Sequence, residues 1–469
     1  MNIRYKHLPL LLGIAFFPTL AQASGYHFGT QSVTSQGTAN AAAAEAADAS
    51  TIFYNPAGLA KLESSEVTAA INLVAPYIKY SDAQAGYRRG GSVRGETSGK
   101  ITDDVVPAPH VYGAYKLNDD LTLGLGMYVP FGSSTEYSKD SVLRHHLNQL
   151  GLTSIAIEPV VAYKLNDKHA FGVGAIAQYS TAELRKYADW DASGTLSALA
   201  GANMTGLADG HAEVKGKDWG FGYHLGWLWD VNDRTRIGVN YRSKVSHKLE
   251  GAANWYADGL AVTSPNPRLG GLSAYDALIG TAAYGYVPHE KASVKIVTPE
   301  SLSVHGMYKA SDKLDLFGDV TWTRHSRFNR AELIFENTKN IGGGNQSDRT
   351  IITPNWRNTY KVALGGAYQY SEPLQLRAGI AFDQSPVRGA QSRLNTLPDG
   401  NRIWYSIGAK YQYRKNHVFD VAYSHIHIND TTFSAAASTG DNVDSKGPAS
   451  AKFKNYANLF GLQYSYKFR

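Results

Sequence analysis

Hydrophobic and polar residues alternate with a period of two in many segments of this chain. The clearest segment places six large apolar residues on a single face: Trp219, Phe221, Tyr223, Leu225, Trp227 and Trp229. Residues 374–383, 402–413 and 460–468 follow the same pattern. Because successive side chains of a β-strand point to opposite faces, this alternation predicts strands with one apolar and one polar face.

The connections between these strands alternate between short and long. Short polar turns occupy residues 118–120, 166–168, 232–234, 311–313, 371–373 and 414–416. Long polar segments lie between them, at roughly 81–106, 132–153, 188–216, 251–294, 336–356, 385–401 and 429–450. The strands between these breaks number fourteen.

An outer-membrane barrel accounts for this arrangement better than a soluble β-sandwich does, although both architectures alternate apolar and polar residues. Single-chain bacterial barrels have an even number of strands, short turns on one side, long loops on the other, and aromatic residues at the ends of the apolar faces. A sandwich has no reason for this asymmetry. The sequence therefore predicts an all-β fold in which residues 65–469 form a 14-stranded antiparallel transmembrane β-barrel.

Two segments precede the first predicted strand. Residues 1–23 begin with basic residues, continue with an apolar stretch and end in a small-residue cleavage site, which is typical of a secretory signal peptide. Residues 24–64 lack the alternation of a strand, are rich in alanine, and contain the turn Asn55-Pro56-Ala57-Gly58. With an even strand count, both ends of the barrel lie on the short-turn side. We therefore expect residues 24–64 to fold into the lumen as a partly helical hatch.

The composition excludes several other classes of protein. The 469 residues include no cysteine, so neither a disulfide framework nor thiolate chemistry is available. After residue 23, no apolar stretch reaches the ~18 residues that a membrane-spanning helix needs. The formal net charge of +6 is too small to indicate a nucleic-acid partner. His425 and His427 have no evident third metal ligand and no catalytic motif is convincing, so we expect no metal, no cofactor and no enzyme activity.

Several longer segments carry a more specific signal: FYNPAGLAKL, YVPFGSSTEY, WGFGYHLGWLWDV, NYRSKVSHKLEG, TPESLSVHGMY, RAGIAFDQSPV and LPDGNRIWYSIGAKY. In order and position they resemble the FadL-type long-chain fatty acid transporters of Gram-negative outer membranes, a family that also includes aromatic hydrocarbon channels. The similarity runs from residue 24 to the C-terminus. It implies an outer-membrane channel with an N-terminal hatch that takes up hydrophobic molecules, with long-chain fatty acids as the first choice of cargo.

The resemblance also implies a lateral exit into the membrane, beside the hatch, where the third strand kinks inward. In this chain we expect the kink at Pro130, Phe131 and Gly132, because proline cannot donate to the strand ladder and glycine tolerates unusual backbone angles. The resemblance assigns gating to Asn55-Pro56-Ala57, with Asn55 bound to backbone groups that the kink leaves free. The alternative interpretation of Pro-Phe-Gly is an ordinary strand end.

A channel for fatty acids needs a polar group that holds the carboxylate. The predicted ligand-binding residues are Arg402, Lys186 and its neighbour Arg185. A guanidinium stays charged and offers a carboxylate two parallel donors. Each of these residues could instead line a polar lumen or pair with an acidic neighbour such as Asp399 or Glu183.

Other cargoes and roles stay open at this point. A third basic position expected from the family aligns with Glu332, so uptake of aromatic hydrocarbons or other neutral hydrophobes by the same route is an alternative to fatty acids. A surface antigen or adhesin that uses the long loops is a second alternative. Besides the hydrophobic ligand, the expected partners are outer-membrane lipid, lipopolysaccharide and the barrel-assembly machinery, and we expect a monomer.

Overall fold

A computed structural model of the chain describes residues 26–103, 105–191, 209–256, 285–342, 345–437 and 446–468, together with residues 194, 197, 198, 201, 203–207, 258 and 443. The predicted signal peptide, residues 1–23, lies outside the described residues. The strands are β1 (Glu66–Tyr87), β2 (Gly99–Lys100), β3 (Val106–Lys116), β4 (Leu121–Glu136), β5 (Gln149–Lys164), β6 (His169–Asp189), β7 (Asp209–Asn232), β8 (Thr235–Arg242), β9 (Val245–Tyr256), β10 (His289–Thr298), β11 (Ser301–Ser311), β12 (Leu314–Thr323), β13 (Ala331–Gly342), β14 (Asn345–Ile352), β15 (Thr359–Ser371), β16 (Leu374–Asp383), β17 (Arg402–Tyr413), β18 (His417–Ala435) and β19 (Lys446–Lys467).

These strands belong to one antiparallel sheet that closes on itself. Five pairs of consecutive segments, β2–β3, β8–β9, β10–β11, β12–β13 and β14–β15, each form a single strand of the wall, so the barrel has fourteen strands. The first strand pairs with the last, from Glu66↔Lys467 to Tyr87↔Lys446. Closure removes the free sheet edges, which is the condition for a sheet to span a membrane. The predicted 14-stranded antiparallel barrel is therefore confirmed.

Side chains of the wall alternate between the lumen and the outside. Along β7, Trp219, Phe221 and Tyr223 are 50%, 73% and 50% exposed, whereas His224 and Leu228 point inward and are buried. Large apolar side chains are exposed in the same way on other strands: Leu125, Val161, Val173, Val304, Leu364, Ile380, Ile407, Val421 and Leu462. An apolar outer surface of this extent is stable against hydrocarbon rather than water.

The two ends of the barrel differ as the sequence predicts, but the strands reach further on the long-loop side. All six short turns connect adjacent strands. At the other end, β6 and β7 stay paired as far as Asp189↔Asp209, well inside a segment predicted to be a loop. Polar residues do not end a strand where both faces meet water, since backbone pairing can continue there. The polar composition of these segments therefore marks the membrane boundary and not the strand end.

Residues 26–65, which we call the hatch, lie inside the barrel and are almost entirely buried. They contain two four-residue helices, α1 (Val33–Gln36) and α2 (Thr51–Tyr54), and a 3₁₀ helix (Pro56–Lys61). The alanine-rich part forms no longer helix, because Ala39, Asn40 and Ala46 adopt positive φ angles that turn the chain. No helix among the described residues is long and apolar enough to cross a membrane.

Candidate functional site

The wall of the barrel is interrupted between β3 and β4. These strands pair only from Lys116↔Thr122 to Val111↔Met127. Beyond that point β3 continues along β1 as far as Val106, while β4 continues along β5 as far as Glu136. The side of β4 that faces β3 therefore lacks a strand partner above Met127. We call this opening the side gap.

The backbone of β4 is irregular at the same place. Its register against β5 shifts by one residue between Tyr128 and Phe131, so Val129 and Pro130 together lie opposite Ile155 and form a β-bulge. This shift falls in the segment for which the sequence predicts a kink. We call Val129–Gly132 the kinked segment.

The hatch, and not another strand, occupies the side gap. Phe28 donates its backbone N–H to Pro130 O, and Gly132 donates to Tyr26 O, both at 2.8 Å, which sets His27 directly opposite Phe131. The Gln31 side chain binds both backbone groups of Val129: its Nε2 donates to Val129 O at 2.6 Å, and its Oε1 accepts from Val129 N at 3.3 Å. Residues 26–31 thus satisfy the backbone groups that the kink leaves without a strand partner.

The prediction that Asn55 binds these backbone groups is wrong. Asn55 Nδ2 donates instead to Trp227 O at 3.1 Å and to Val239 O at 3.3 Å, and it lies 2.9 Å from His305 Nε2. These groups belong to β7, β8 and β11. Because the hatch folds back on itself through several tight turns, its start reaches the kinked segment while the Asn-Pro turn reaches a different part of the wall.

Two paired glycines make room for the turn Asn55-Pro56-Ala57. Gly172 of β6 lies directly opposite Gly226 of β7. A Cβ atom at Gly172 would overlap the peptide bond between Pro56 and Ala57, and one at Gly226 would lie 2.7 Å from Pro56 Cδ. The side chain of Asn55 also accepts a hydrogen bond from Ala57 N at 3.1 Å, which begins the 3₁₀ helix. The turn is therefore seated rigidly against the bare backbone of two wall strands.

An apolar cluster lies on the long-loop side of the side gap. Tyr26 of the hatch stacks on Trp356 with ring centroids 5.4 Å apart, and it contacts Phe131 and Phe328 at 5.8 Å. Buried Val387 and Leu397, both from the connection between β16 and β17, complete the cluster. This cluster provides an apolar surface next to the closed gap.

A cavity of about 90 Å³ lies on the lumen side of the hatch. Most of the residues that line it have polar side chains, and they come from both hatch and wall: His27, Gly29, Asn40, Ala43, Phe53, Tyr54, Asn240, Arg242, Ser301, Ser303, Asp319, Thr321, Thr323, His325, Thr359, Lys361, Asp383 and Trp404. With the hatch in this position, the cavity has room for several water molecules and not for a long acyl chain.

Three cations converge on this cavity. Burial and then the charges of Lys361, Arg242 and Arg402 lower the pKa of His27 to about 3, so His27 is neutral at physiological pH. The ammonium group of Lys361 lies 4.9 Å from the centre of the Trp404 ring. Together these groups make the cavity suitable for a small anionic group.

Arg402, the first predicted clamp residue, is buried beside this cavity. Its Nη2 donates to Asp399, and its Nη1 lies 3.7 Å from Asp383. Among the described residues, nothing accepts a hydrogen bond from Arg402 Nε or Nη1. A buried guanidinium with donors to spare is suited to an additional acceptor.

The structure does not join the other predicted clamp residues to Arg402. Arg185 donates to Asn148 Oδ1 at 2.8 Å and forms an ion pair with Glu136, whose side chain is 56% exposed. Lys186 is partly buried, lies near the charge of Lys446, and is not among the residues that line the cavity beside Arg402. Glu332 pairs with Arg330 and Arg349 and adds no positive charge. A clamp made of all three predicted cations is therefore not assembled.

The sequence interpretation missed Gln31, Arg242 and Lys361. Period-two alternation in β8 and β15 places Arg242 and Lys361 on the inward face, so a signal for their position existed. Nothing in the sequence singles out Gln31, because its role depends on how the hatch folds. No group of three or more side chains suited to a metal ion occurs among the described residues.

Comparisons with known proteins agree with this geometry. A family model described as "Outer membrane protein transport protein (OMPP1/FadL/TodX)" matches residues 14–468. A protein of Neisseria meningitidis serogroup B named "Putative outer membrane protein NMB0088" is 63% identical over 99% of both chains. The long-chain fatty acid transport protein of Salmonella typhi is 24% identical over 98% of both chains.

Two solved structures share the fold. A Pseudomonas aeruginosa FadL homologue superimposes with a TM-score of 0.81 at 23% identity, covering 95% of this chain and 100% of the other. The Pseudomonas putida toluene transporter TodX gives a TM-score of 0.63 at 17% identity, covering 90% of this chain and 94% of the other.

Proposed function

Because this chain belongs to the OMPP1/FadL/TodX family of outer membrane transport proteins, we propose that it takes up long-chain fatty acids and releases them sideways into the membrane through the side gap between β3 and β4. The resemblance to FadL-type transporters is thereby confirmed, and so is the outer-membrane location. The family is one of channels for hydrophobic substrates. The choice of fatty acid and the sideways route are our proposals.

The side gap is the observation that carries the proposed route. In a membrane, backbone N–H and C=O groups need partners within the protein. Here one stretch of wall obtains them from residues 26–31 of the hatch, which belong to no strand. A movement of this short segment would open the wall without breaking any strand pairing of the barrel.

A sideways exit suits hydrophobic cargo for a physical reason. A fatty acid loses about 0.8 kcal/mol for each CH₂ group that leaves an apolar environment for water. A long water-filled lumen would therefore oppose its passage. The side gap would allow cargo to pass from the apolar cluster of Tyr26, Phe131 and Trp356 into hydrocarbon with little exposure to water.

The cations around the cavity support a carboxylate as the head group. Lys361 and Arg402 are the proposed binding residues, because Lys361 lines the cavity and Arg402 has buried donors for which the described part of the chain provides no acceptor. In place of the three-residue clamp, we propose that Arg185 and Lys186 act at an earlier stage near the long loops. Uptake of a neutral hydrophobe such as toluene is the second candidate, since a solved relative in fold is a toluene transporter.

A reversible cross-link between the hatch and the kinked segment tests the route. The hydrogen bonds on either side of His27 and Phe131 identify them as a non-hydrogen-bonded antiparallel pair, whose Cα separation of about 4.5 Å is short enough for a disulfide. The chain contains no other cysteine. Oxidation of the variant His27→Cys/Phe131→Cys should stop uptake of fatty acid into cells or vesicles, and reduction should restore it.

A second pair of cysteines controls for cross-linking itself. Ser154 and Ser180 face each other on neighbouring wall strands, with hydroxyl oxygens 2.7 Å apart, and within the described residues neither hydroxyl group forms a hydrogen bond with the hatch. Oxidation of Ser154→Cys/Ser180→Cys should leave uptake unchanged. Normal uptake through the oxidised His27→Cys/Phe131→Cys protein would refute the sideways route.

A further inference from the structure

A buried polar network lies directly beside the kinked segment. Glu158 of β5 is buried and accepts hydrogen bonds from His224 Nδ1 at 2.6 Å, from both terminal nitrogens of Arg242 at 3.2 Å, and from the Tyr128 hydroxyl. Arg242 Nη1 also donates to the Tyr128 hydroxyl at 2.6 Å. Tyr128 is the last regular residue of β4 before the register shift. Arg242 is therefore tied to the wall at the point where the side gap begins.

The same arginine also holds the hatch. Arg242 Nη2 donates to the backbone oxygen of Phe53 at 3.1 Å, and its guanidinium lies 4.7 Å from the centre of the Phe53 ring. The next residue, Tyr54, accepts a hydrogen bond from Gln31 N at 2.9 Å. Gln31 is the residue that binds both backbone groups of Val129. Arg242 is thus linked to the kinked segment along two routes. One runs through Tyr128 of the wall, and the other runs through Phe53, Tyr54 and Gln31 of the hatch.

Arg242 is accessible to a ligand because it lines the cavity on the lumen side of the hatch. The hydrogen bond from its Nη2 to Phe53 O serves a neutral carbonyl group. A carboxylate that entered the cavity would offer this Nη2 a charged oxygen in place of the neutral one, and a hydrogen bond between two charged groups is roughly twice as strong. An alcohol of the same chain length offers one neutral oxygen and competes poorly. The two ligands would therefore differ in how strongly they draw Arg242 away from the hatch.

We propose that Arg242 senses the negative charge of the ligand and couples it to release of the hatch from the kinked segment. This inference rests on the proposed function and adds the regulation of the same site. A carboxylate binds Arg242 more tightly when the hatch has moved away, because Phe53 O no longer accepts from Nη2. Ligand binding then shifts the population towards the open state, as a ligand does when it contacts two states differently. A neutral hydrophobe binds without this effect.

The rate of disulfide formation in His27→Cys/Phe131→Cys reports hatch position, because the two thiols meet only while residues 26–28 are seated. The probes are dodecanoate and dodecanol at saturating concentration. In the otherwise unchanged protein, dodecanoate should slow cross-linking at least fivefold more than dodecanol does. In the same protein carrying Arg242→Gln and Glu158→Gln, dodecanoate and dodecanol should slow cross-linking to the same extent. Changing both residues avoids leaving a buried charge without its partner.

Lys361→Gln is the matched control, since it removes another cation of the cavity, and the hydrogen bonds and cation–π contacts that Phe53 and Tyr128 make with Arg242 do not involve Lys361. It should weaken dodecanoate binding but keep the difference between the two probes at saturation. The inference is overturned if dodecanoate and dodecanol slow cross-linking equally in His27→Cys/Phe131→Cys with Arg242 and Glu158 intact. This comparison does not depend on whether the variant of Arg242 and Glu158 folds. The inference is also overturned if the double variant keeps the difference. The proposed function fails separately, if the oxidised cross-link does not block uptake.

Discussion

A single methyl group added at Gly172 should unseat the hatch without unfolding the barrel. Gly172 and Gly226 lie opposite each other on β6 and β7, and the turn Asn55-Pro56-Ala57 rests on both. The Cβ atom of an alanine at position 172 would overlap the bond between Pro56 and Ala57 and lie 2.7 Å from Pro56 O. β6 is hydrogen-bonded along its length to β5 and β7, so the wall cannot yield easily. The turn has to move instead.

The size of the effect follows from the cost of overpacking. Inserting an extra carbon into a closely packed site costs about 1–3 kcal/mol. If this cost falls on docking of the hatch, the ratio of undocked to docked protein rises roughly 5-fold to 150-fold, since about 1.4 kcal/mol corresponds to a factor of ten. The strand pairing of the barrel is unaffected, so the variant should still be assembled and heat-modifiable.

Conductance in planar lipid bilayers measures this ratio. Gly172→Ala should spend roughly 5-fold to 150-fold more time in conducting states than the natural protein, because an undocked hatch leaves a polar lumen open. Gly113→Ala is the control: it adds the same methyl group to a wall strand where no atom lies within 4 Å. Equal open times in Gly172→Ala and the natural protein would show that the turn does not hold the hatch in place.

Three further predictions concern the head group, the pH and the hatch as a whole. Arg402→Ala should weaken dodecanoate binding by more than tenfold relative to dodecanol in a fluorescence displacement assay, because a charge-assisted hydrogen bond contributes about 1.5–3 kcal/mol; equal losses would contradict this. Burial raises the pKa of Glu45, but the two hydrogen bonds from Arg377 at 2.6 and 2.7 Å and its charge outweigh burial and hold the pKa below the usual 4.5. This stabilisation of the hatch is fully present above about pH 4.5 and is lost as the pH falls through the lowered pKa, so acid should raise the conductance of the natural protein more than that of Glu45→Gln. Deletion of residues 24–64 should give a pore that conducts ions and lacks saturable uptake of the hydrophobic ligand. Normal uptake by the truncated protein would show that the hatch plugs the barrel and has no role in gating.

The barrel could be predicted because the membrane restricts the possible folds so strongly. A chain without a long apolar helix crosses hydrocarbon only as a closed sheet, and each wall strand then repeats the same alternation. Trp219, Phe221 and Tyr223 show this directly, since they are predicted on one face and found exposed on it. Alternation does not predict how far the strands extend on the long-loop side. Water solvates both faces there, so paired residues need not alternate between apolar and polar.

The site could be predicted only in part because its contacts join segments that are distant in the chain. Alternation places Arg242 and Lys361 in the lumen but does not say which lumen cation meets the cavity. Gln31 and Asn55 are both polar residues of the hatch, and local sequence does not show which of them reaches the kinked segment. That choice depends on the turns at Ala39, Asn40 and Ala46, which adopt positive φ angles unusual for these residues.

The hydrogen bonds at the side gap limit how the channel can open. If residues 26–31 leave, the N–H and C=O groups of Val129, the C=O group of Pro130 and the N–H group of Gly132 all lose their partners. Each unsatisfied group costs several kcal/mol in hydrocarbon. An empty open gap would therefore be rare, and the open state needs water from the lumen or the polar end of a ligand to satisfy these groups. An amphipathic cargo supplies that polar end together with an apolar chain that fills the gap, whereas a pure hydrocarbon supplies only the chain. The backbone chemistry of the gap thus favours an amphipathic cargo over a pure hydrocarbon, but a carboxylate can accept only from the N–H groups of Val129 and Gly132, and the two C=O groups need a donor such as water. The proposed contact with Arg242, and not the backbone of the gap, is what would distinguish a carboxylate from an alcohol.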